Sequence, residues 1–231
     1  MSDLPIQPLT LLPNQTATDQ VFDALHAALI SVQLAPGTKV SEADIAKKLD
    51  VSRQPVRDAF FRLSKLGFLA IRPQRATLVT KISEQAVLDA VFVRIALEVE
   101  CVRHAIDRLT DADAGALRKS LGQQHEALNN KDKSVFHALD EAFHEDICRI
   151  AGHTHAWDLI LEQKAHMDRV RFLTLSETRR QTVYRQHSHL VASMIKRDAD
   201  AAERQIREHL GEIRQTLEQT RTEHATYFDA S

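Results

Sequence analysis

Twelve histidines in 231 residues is a high count, and a few of them have the spacing of a ligand set. Asp140 and His144 stand four apart, so on a helix they face one side and can grip one ion. His187 and His209 each lie eleven residues from Asp198. If two antiparallel helices meet in a turn centred there, both imidazoles sit at the same height. One carboxylate and three imidazoles suit Zn²⁺, Ni²⁺, Co²⁺, Mn²⁺ or Fe²⁺, and the set does not choose among them. His189, two residues past His187, points elsewhere. His26, His104, His125, His137, His155, His166 and His224 read as ordinary polar or core histidines.

A second chemistry sits in Ser52-Arg53-Gln54-Pro55-Val56-Arg57. A helix that enters the DNA major groove presents polar and basic side chains from its N-terminal end. Arg53, Gln54 and Arg57 fall opposite Val56, Phe60 and Leu63. Arginine bonds guanine O6 and N7 in a bidentate manner, and glutamine pairs with adenine. Ser52, Arg62 and Lys65 suit phosphates, which position a protein without reading sequence. Arg75 is placed to enter the adjacent minor groove.

Both groups need elements to hold them. Residues 1–16, with Pro5, Pro8 and Pro13, read as a mobile arm. A helix is predicted from Thr18 as cap, with Val21, Phe22, Leu25, Ala28, Leu29 and Val32 on one face. Pro36-Gly37 stops it. Ser41 with Asp44 resembles a capping box for a short second helix buried through Ile45, Ala46 and Leu49. Ser52 caps a third, Pro55 falls in its first turn, and Gly67 ends it. Phe68–Ile71 and Thr77–Thr80 read as two strands with Pro73-Gln74-Arg75 at their tip. From Ser83 onward every segment reads as helix, at about 84–108, 111–130, 132–151, 154–176, 178–197 and 199–221. The fold class is mainly α. A winged helix-turn-helix with a small two-stranded wing (17–81) precedes an antiparallel all-helical bundle (84–222), and 223–231 form a tail.

Composition narrows the classes further. Only 6 Gly and 6 Pro argue against a many-stranded sandwich or barrel. Two cysteines cannot make a disulfide framework, so a reduced, cytoplasmic protein is expected. No apolar run approaches the ~18 residues of a membrane helix. The formal net charge of −2 speaks against indiscriminate coating of nucleic acid. Yet Arg53, Arg57, Arg62, Lys65, Arg72 and Arg75 face only Asp58 within residues 51–75, and such a patch is a local electrostatic footprint.

At these residues a family resemblance becomes visible. Pro36-Gly37, Ser41-Glu42, Ile45-Ala46, Val51-Ser52-Arg53, Pro55-Val56-Arg57, Leu63 and Gly67 resemble the winged helix-turn-helix of the GntR family of bacterial transcription regulators, over about residues 18–80. The resemblance implies operator contacts at Arg53, Gln54 and Arg57 and at the wing tip, Gln74 and Arg75. Arg75-Ala76 stands where the family usually has a glycine. The second half is similar to the FCD effector domain of the FadR branch, through Arg94 and Glu98, Asp140-x-x-Phe143-His144, His187, Asp198 and His209-Leu210. That likeness makes Asp140, His144, His187 and His209 metal ligands and Arg94 an effector contact. Arg94 and Glu98 also have the spacing of an ordinary helical ion pair, worth little by itself. His153 replaces a common asparagine and is assigned to the effector site.

The expected protein is a metabolite-responsive regulator, and a repressor. It binds double-stranded palindromic operator DNA as a homodimer, with a small carboxylate effector meeting a divalent transition metal, and no membrane. The alternative is a metal-dependent hydrolase or lyase with an accessory nucleic-acid-binding domain. Against it, no general base has assignable geometry, and four protein ligands leave less room than a three-ligand catalytic site.

Overall fold

The computed structural model describes residues 5–6, 8–9, 14–72 and 76–229. Helix α1 (Ala17–Ile30) begins at Thr16, whose hydroxyl accepts the Asp19 N–H at 3.1 Å. The cap expected at Thr18 thus lies two residues earlier, where the backbone is extended and a hydroxyl can reach back to the first turn. Strand β1 (Lys39–Val40), α2 (Glu42–Leu49), α3 (Arg53–Lys65), β2 (Leu69–Ala70) and β3 (Thr77–Val79) follow. Ser41 caps α2 by accepting the Asp44 N–H at 3.1 Å, and its hydroxyl donates to the Asp44 carboxylate at 2.7 Å. Gly67 takes φ +79°, a conformation that L side chains rarely adopt, and the Phe68 N–H turns back to the Leu63 carbonyl at 2.9 Å.

The wing is wider than two strands. Its antiparallel order is β1-β3-β2, with Val40 opposite Thr77 and Ala70 opposite Leu78. A two-residue strand such as Lys39–Val40 is too short to show alternation in sequence. The wing tip, with Gln74 and Arg75, lies outside the described residues.

Leu25, Leu29, Ile45, Leu49, Phe60 and Leu63 fill the N-terminal core. Ile6 joins it, and Leu9 packs against it while its N–H donates to the Leu49 carbonyl at 3.3 Å. The described part of the expected mobile arm is therefore anchored, because its apolar side chains find a core to enter. The rest of that arm (1–4, 7 and 10–13) lies outside the described residues.

The second half comprises α4 (Glu84–Arg108), α5 (Asp111–Ala127), α6 (Lys133–Ile150), α7 (Thr154–Gln163), α8 (Ala165–Thr174), α9 (Glu177–Ile195), α10 (Ala199–Gly211) and α11 (Ile213–Glu223). Two expected helices are each broken in two. Lys164 takes φ −91°, ψ 2°, and its ammonium is drawn between Glu141 and Asp168. Glu212 divides α10 from α11, and its carboxylate accepts from Arg179 and Gln186. Apart from the Asp168 contact, these bonds join residues at least 23 apart in the chain, so they leave no local signature. Central α4 packs on α6, α7, α8 and α10.

Helix α8 belongs to both halves. Ala165 and Phe172 enter the N-terminal core, whereas Met167 and Val170 join Ile82, Val91 and Phe228 in a cluster beneath the bundle. The connector is clamped. The Ile82 N–H donates to the Tyr227 carbonyl at 2.8 Å, and the Ile82 carbonyl accepts the Asp229 N–H at 3.0 Å. The expected tail, over its described residues, thus returns through a 3₁₀ turn (Ala225–Tyr227) to bury Phe228, because an aromatic side chain gains by leaving water. Among the described residues, no helix is long and apolar enough to cross a membrane.

Candidate metal centre and nucleic-acid interface

Three helices bring the ligand candidates together. Helix α6 carries Asp140 and His144, α9 carries His187 and α10 carries His209, all buried. One ligand atom from each lies within 4.8 Å of all the others. The His209 Nε2 stands 3.3 Å from the Nε2 of His187 and 3.3 Å from that of His144. Each Nδ1 is engaged on the far side of its ring. That of His144 meets Glu98 at 2.6 Å, that of His187 meets the Gln124 carbonyl oxygen at 2.9 Å, and that of His209 meets the Gln186 carbonyl oxygen at 2.9 Å. An Nδ1–H that donates outward leaves the Nε2 lone pair facing inward, the arrangement in which outer partners fix a metal-binding tautomer.

Three inward lone pairs repel one another unless a cation lies among them. Ligands at about 2.0–2.1 Å in tetrahedral array stand about 3.3 Å apart, which matches the nitrogen separations. Asp140 Oδ1, buried and 3.7 Å from the His187 Nε2, has no hydrogen-bond partner in the structure. The donor set therefore fits a divalent ion. Burial pushes His187 down to about 3 and holds His209 well below its ordinary value, so both are neutral, the form in which imidazole can bind a metal. Burial opposes the Asp140 charge, but the neighbouring Arg171 guanidinium wins and keeps it well below the carboxylate range. Glu98 falls to about 2, because Arg94 and His144 outweigh its burial.

A cavity of about 40 Å³ opens beside Asp140 and His209, room for a few water-sized groups. Arg94, Arg171, Arg179, Thr174 and Thr216 supply its polar wall, and Phe136, Met167, Val183 and Ile213 its apolar one. Arg94 bonds Glu98 at 2.5 Å through Nε, while one buried terminal nitrogen has no partner. Arg171 joins Asp140 and Glu141, and Arg179 joins Glu212. The sequence reading missed Arg171, Arg179 and the outer partners Gln124 and Gln186. His153 does not line this cavity. Gly152, at φ +79°, ends α6 and turns the chain away, so His153 meets His104 of α4 in a separate groove.

In α3 the apolar side of Val56, Ala59, Phe60 and Leu63 is buried, and Arg53, Gln54 and Arg57 stand exposed. Arg53 and Arg57 lie about 40° apart around the helix. Gln54 donates to Asp58 at 2.9 Å, and Arg57 donates to Glu42 of α2 at 3.1 Å. Ser52 caps α3 without a side-chain capping bond. Arg62 is placed otherwise. Nine residues beyond Arg53 carries it about 180° round the helix. There it bonds Asp19 at 2.7 Å and covers the Phe22 ring at 4.0 Å, so it ties α3 to α1.

A winged helix-turn-helix joined to a helical bundle with an arginine-lined cavity defines a class of DNA-binding regulator. Residues 17–79 match the gntR family of bacterial regulatory proteins, and residues 89–212 match the FCD domain. The chain is 36% identical over 219 residues to the HTH-type transcriptional repressor RspR of Escherichia coli (strain K12), covering 94% of this chain and 96% of that one. It is 28% identical to the Nta operon transcriptional regulator of Aminobacter aminovorans, over 74% of this chain and 80% of the other. The fold is similar to that of the solved E. coli McbR/YncC, at a TM-score of 0.76 and 20% identity, over 91% of this chain and 99% of that one. The chain belongs to the GntR family and carries an FCD domain as its second half. It is a transcription regulator, and the hydrolase or lyase reading is set aside.

Proposed function

We propose that the chain is a FadR-branch repressor that binds a palindromic operator as a dimer and answers to a small organic acid. The carrying observation is a cluster of three Nε2 atoms whose members His209 and Asp140, the latter with an unpartnered oxygen, open onto the cavity that Arg94, with an unpartnered nitrogen, also lines. A divalent ion held by Asp140, His144, His187 and His209 would offer coordination positions to a carboxylate. Arg94 receives a second anionic group, for which its planar fork is suited. Arg53, Gln54 and Arg57 read bases, Ser52 takes a phosphate, and Gln74 and Arg75 reach the minor groove.

Regulation needs the acid to favour one placement of the two DNA domains, which must sit about one DNA turn apart. Helix α8 is the connection. Its Arg171 touches the metal ligand Asp140, its Asp168 holds Lys164, and its Arg169 donates to the Thr80 carbonyl in the connector at 2.5 Å. An anion that draws on Arg171 competes with Asp140 and Glu141 for it and shifts the balance along α8.

Metal analysis of purified protein is expected to find one ion per chain, and none in the double variant His144→Ala, His187→Ala. Anisotropy titrations with small carboxylates are expected to change operator affinity about 5–150-fold. Full metal content in the double variant, or an acid that fills the bundle and leaves operator affinity unchanged, would overturn the reading.

A further inference from the structure

His104 and His153 form a second contact between imidazoles, remote from the centre described above. His104 Nδ1 and His153 Nε2 lie 2.8 Å apart, with ring centroids 4.9 Å apart and planes at 47°. His104 is on α4, six residues beyond Glu98, which places it about 120° round the helix from the face that serves the buried centre. His153 is the residue before α7, held there by the turn at Gly152. Both side chains are exposed, at the rim of a groove of about 510 Å³ whose walls include Leu97, Glu100, Cys101 and Leu159.

We propose that His104 and His153 are the protein ligands of a second, exchangeable site for a borderline divalent ion such as Ni²⁺ or Zn²⁺. Two nitrogens at about 2.0–2.1 Å from an ion, in neighbouring positions of a six-coordinate shell, are about 2.9 Å apart, close to the separation in the structure. Both imidazoles are exposed at the groove, so water can fill the remaining positions of the shell. Imidazole donors suit this class of ion. Without the ion, the contact is one hydrogen bond at the surface, worth little. With it, the start of α7 is clamped to α4. The site shares no ligand with Asp140, His144, His187 and His209, so the two stand or fall separately.

Calorimetric titration of the full chain with Ni²⁺, after the tight centre is filled, tests the proposal. A second, weaker class of one ion per chain is expected. It is lost in His104→Asn and in His153→Asn, while both keep the tight ion. His144→Ala is expected to do the reverse. In the wild-type chain with the tight centre already filled by Zn²⁺, substoichiometric Ni²⁺ is expected to broaden the ring C–H resonances of two exposed histidines, a readout that needs no variant to fold. A single class of site in the wild type, two classes in both variants, or broadening confined to other histidines would overturn it.

Discussion

Gln124 shows how much of a site lies outside its ligands. Its carbonyl oxygen accepts from His187 Nδ1 across 63 positions of chain, with both groups buried. That bond leaves Nε2 as the inward atom. Gln124→Leu keeps the volume and removes the acceptor, so the imidazole loses its tautomer and its aim. Metal affinity is expected to fall about 10–100-fold with the fold retained, read by competition against a chromogenic chelator. Unchanged affinity would deny the outer bond its role. Arg53 is the matching case at the DNA end, since it stands exposed at the first position of α3. Arg53→Ala is expected to cost about 1–3 kcal/mol on the specific operator and to relax base preference. Equal losses on operator and random duplex, measured by anisotropy, would make it a phosphate contact instead. The four ligand candidates were legible because i, i+4 spacing and equal distance from a hairpin turn are local arithmetic. Gln124, Gln186 and Arg171 were not, because only the packing of separate helices brings them to the ligands.

At the scale of elements, what the sequence hid was where apolar faces stop belonging to one domain. The predicted helix over 154–176 has a continuous helical pattern, yet it divides at Lys164, whose ammonium sits between Glu141 and Asp168. Burial alone would lower that ammonium, and the two carboxylates hold it raised instead. Beyond the break, Ala165 and Phe172 of α8 reach the N-terminal core. The third wing strand was hidden for a different reason, since two residues carry no periodicity. Because α8 completes the N-terminal core, Phe172→Ala is expected to destabilise the DNA-binding half by about 3–5 kcal/mol through the cavity it leaves. Tryptic cleavage within residues 14–72 should accelerate in that variant while the bundle stays intact. Equal protection of both halves would show that α8 is not part of the N-terminal fold.

Across the whole molecule, the two halves meet at a junction that is buried and titratable. His166 Nδ1 accepts the Ser83 N–H at 3.0 Å, and burial lowers this imidazole to about 4. A group with a lowered folded pKa is neutral in the folded chain where the unfolded chain takes a proton. Its penalty is absent above about pH 6.5 and grows as pH falls toward 4. His166→Gln keeps an acceptor for Ser83 and removes the titration. Wild type is expected to lose about 2 kcal/mol more than this variant in urea unfolding between pH 7 and pH 5. Parallel losses would place the acid sensitivity elsewhere. Beside it, the fully buried Arg169 donates to the Thr80 carbonyl at 2.5 Å and to the Thr80 hydroxyl at 3.3 Å. These bonds tie the helix that borders the cavity to the strand end that leads to the wing. On the proposed reading, the DNA-binding half and the bundle gain mutual influence through such a tie, since coupling is a difference in contacts between states. Arg169→Met retains the buried stem and removes the bonds. Effector and operator are each expected to bind within a fewfold of wild type, while the change in operator affinity on adding the acid collapses toward onefold. Arg169→Lys, with one compact donor, should fall between. If the response survives intact in Arg169→Met, the signal runs instead through the apolar cluster of Ile82, Met167 and Phe228, and Phe228→Ala becomes the variant that abolishes it.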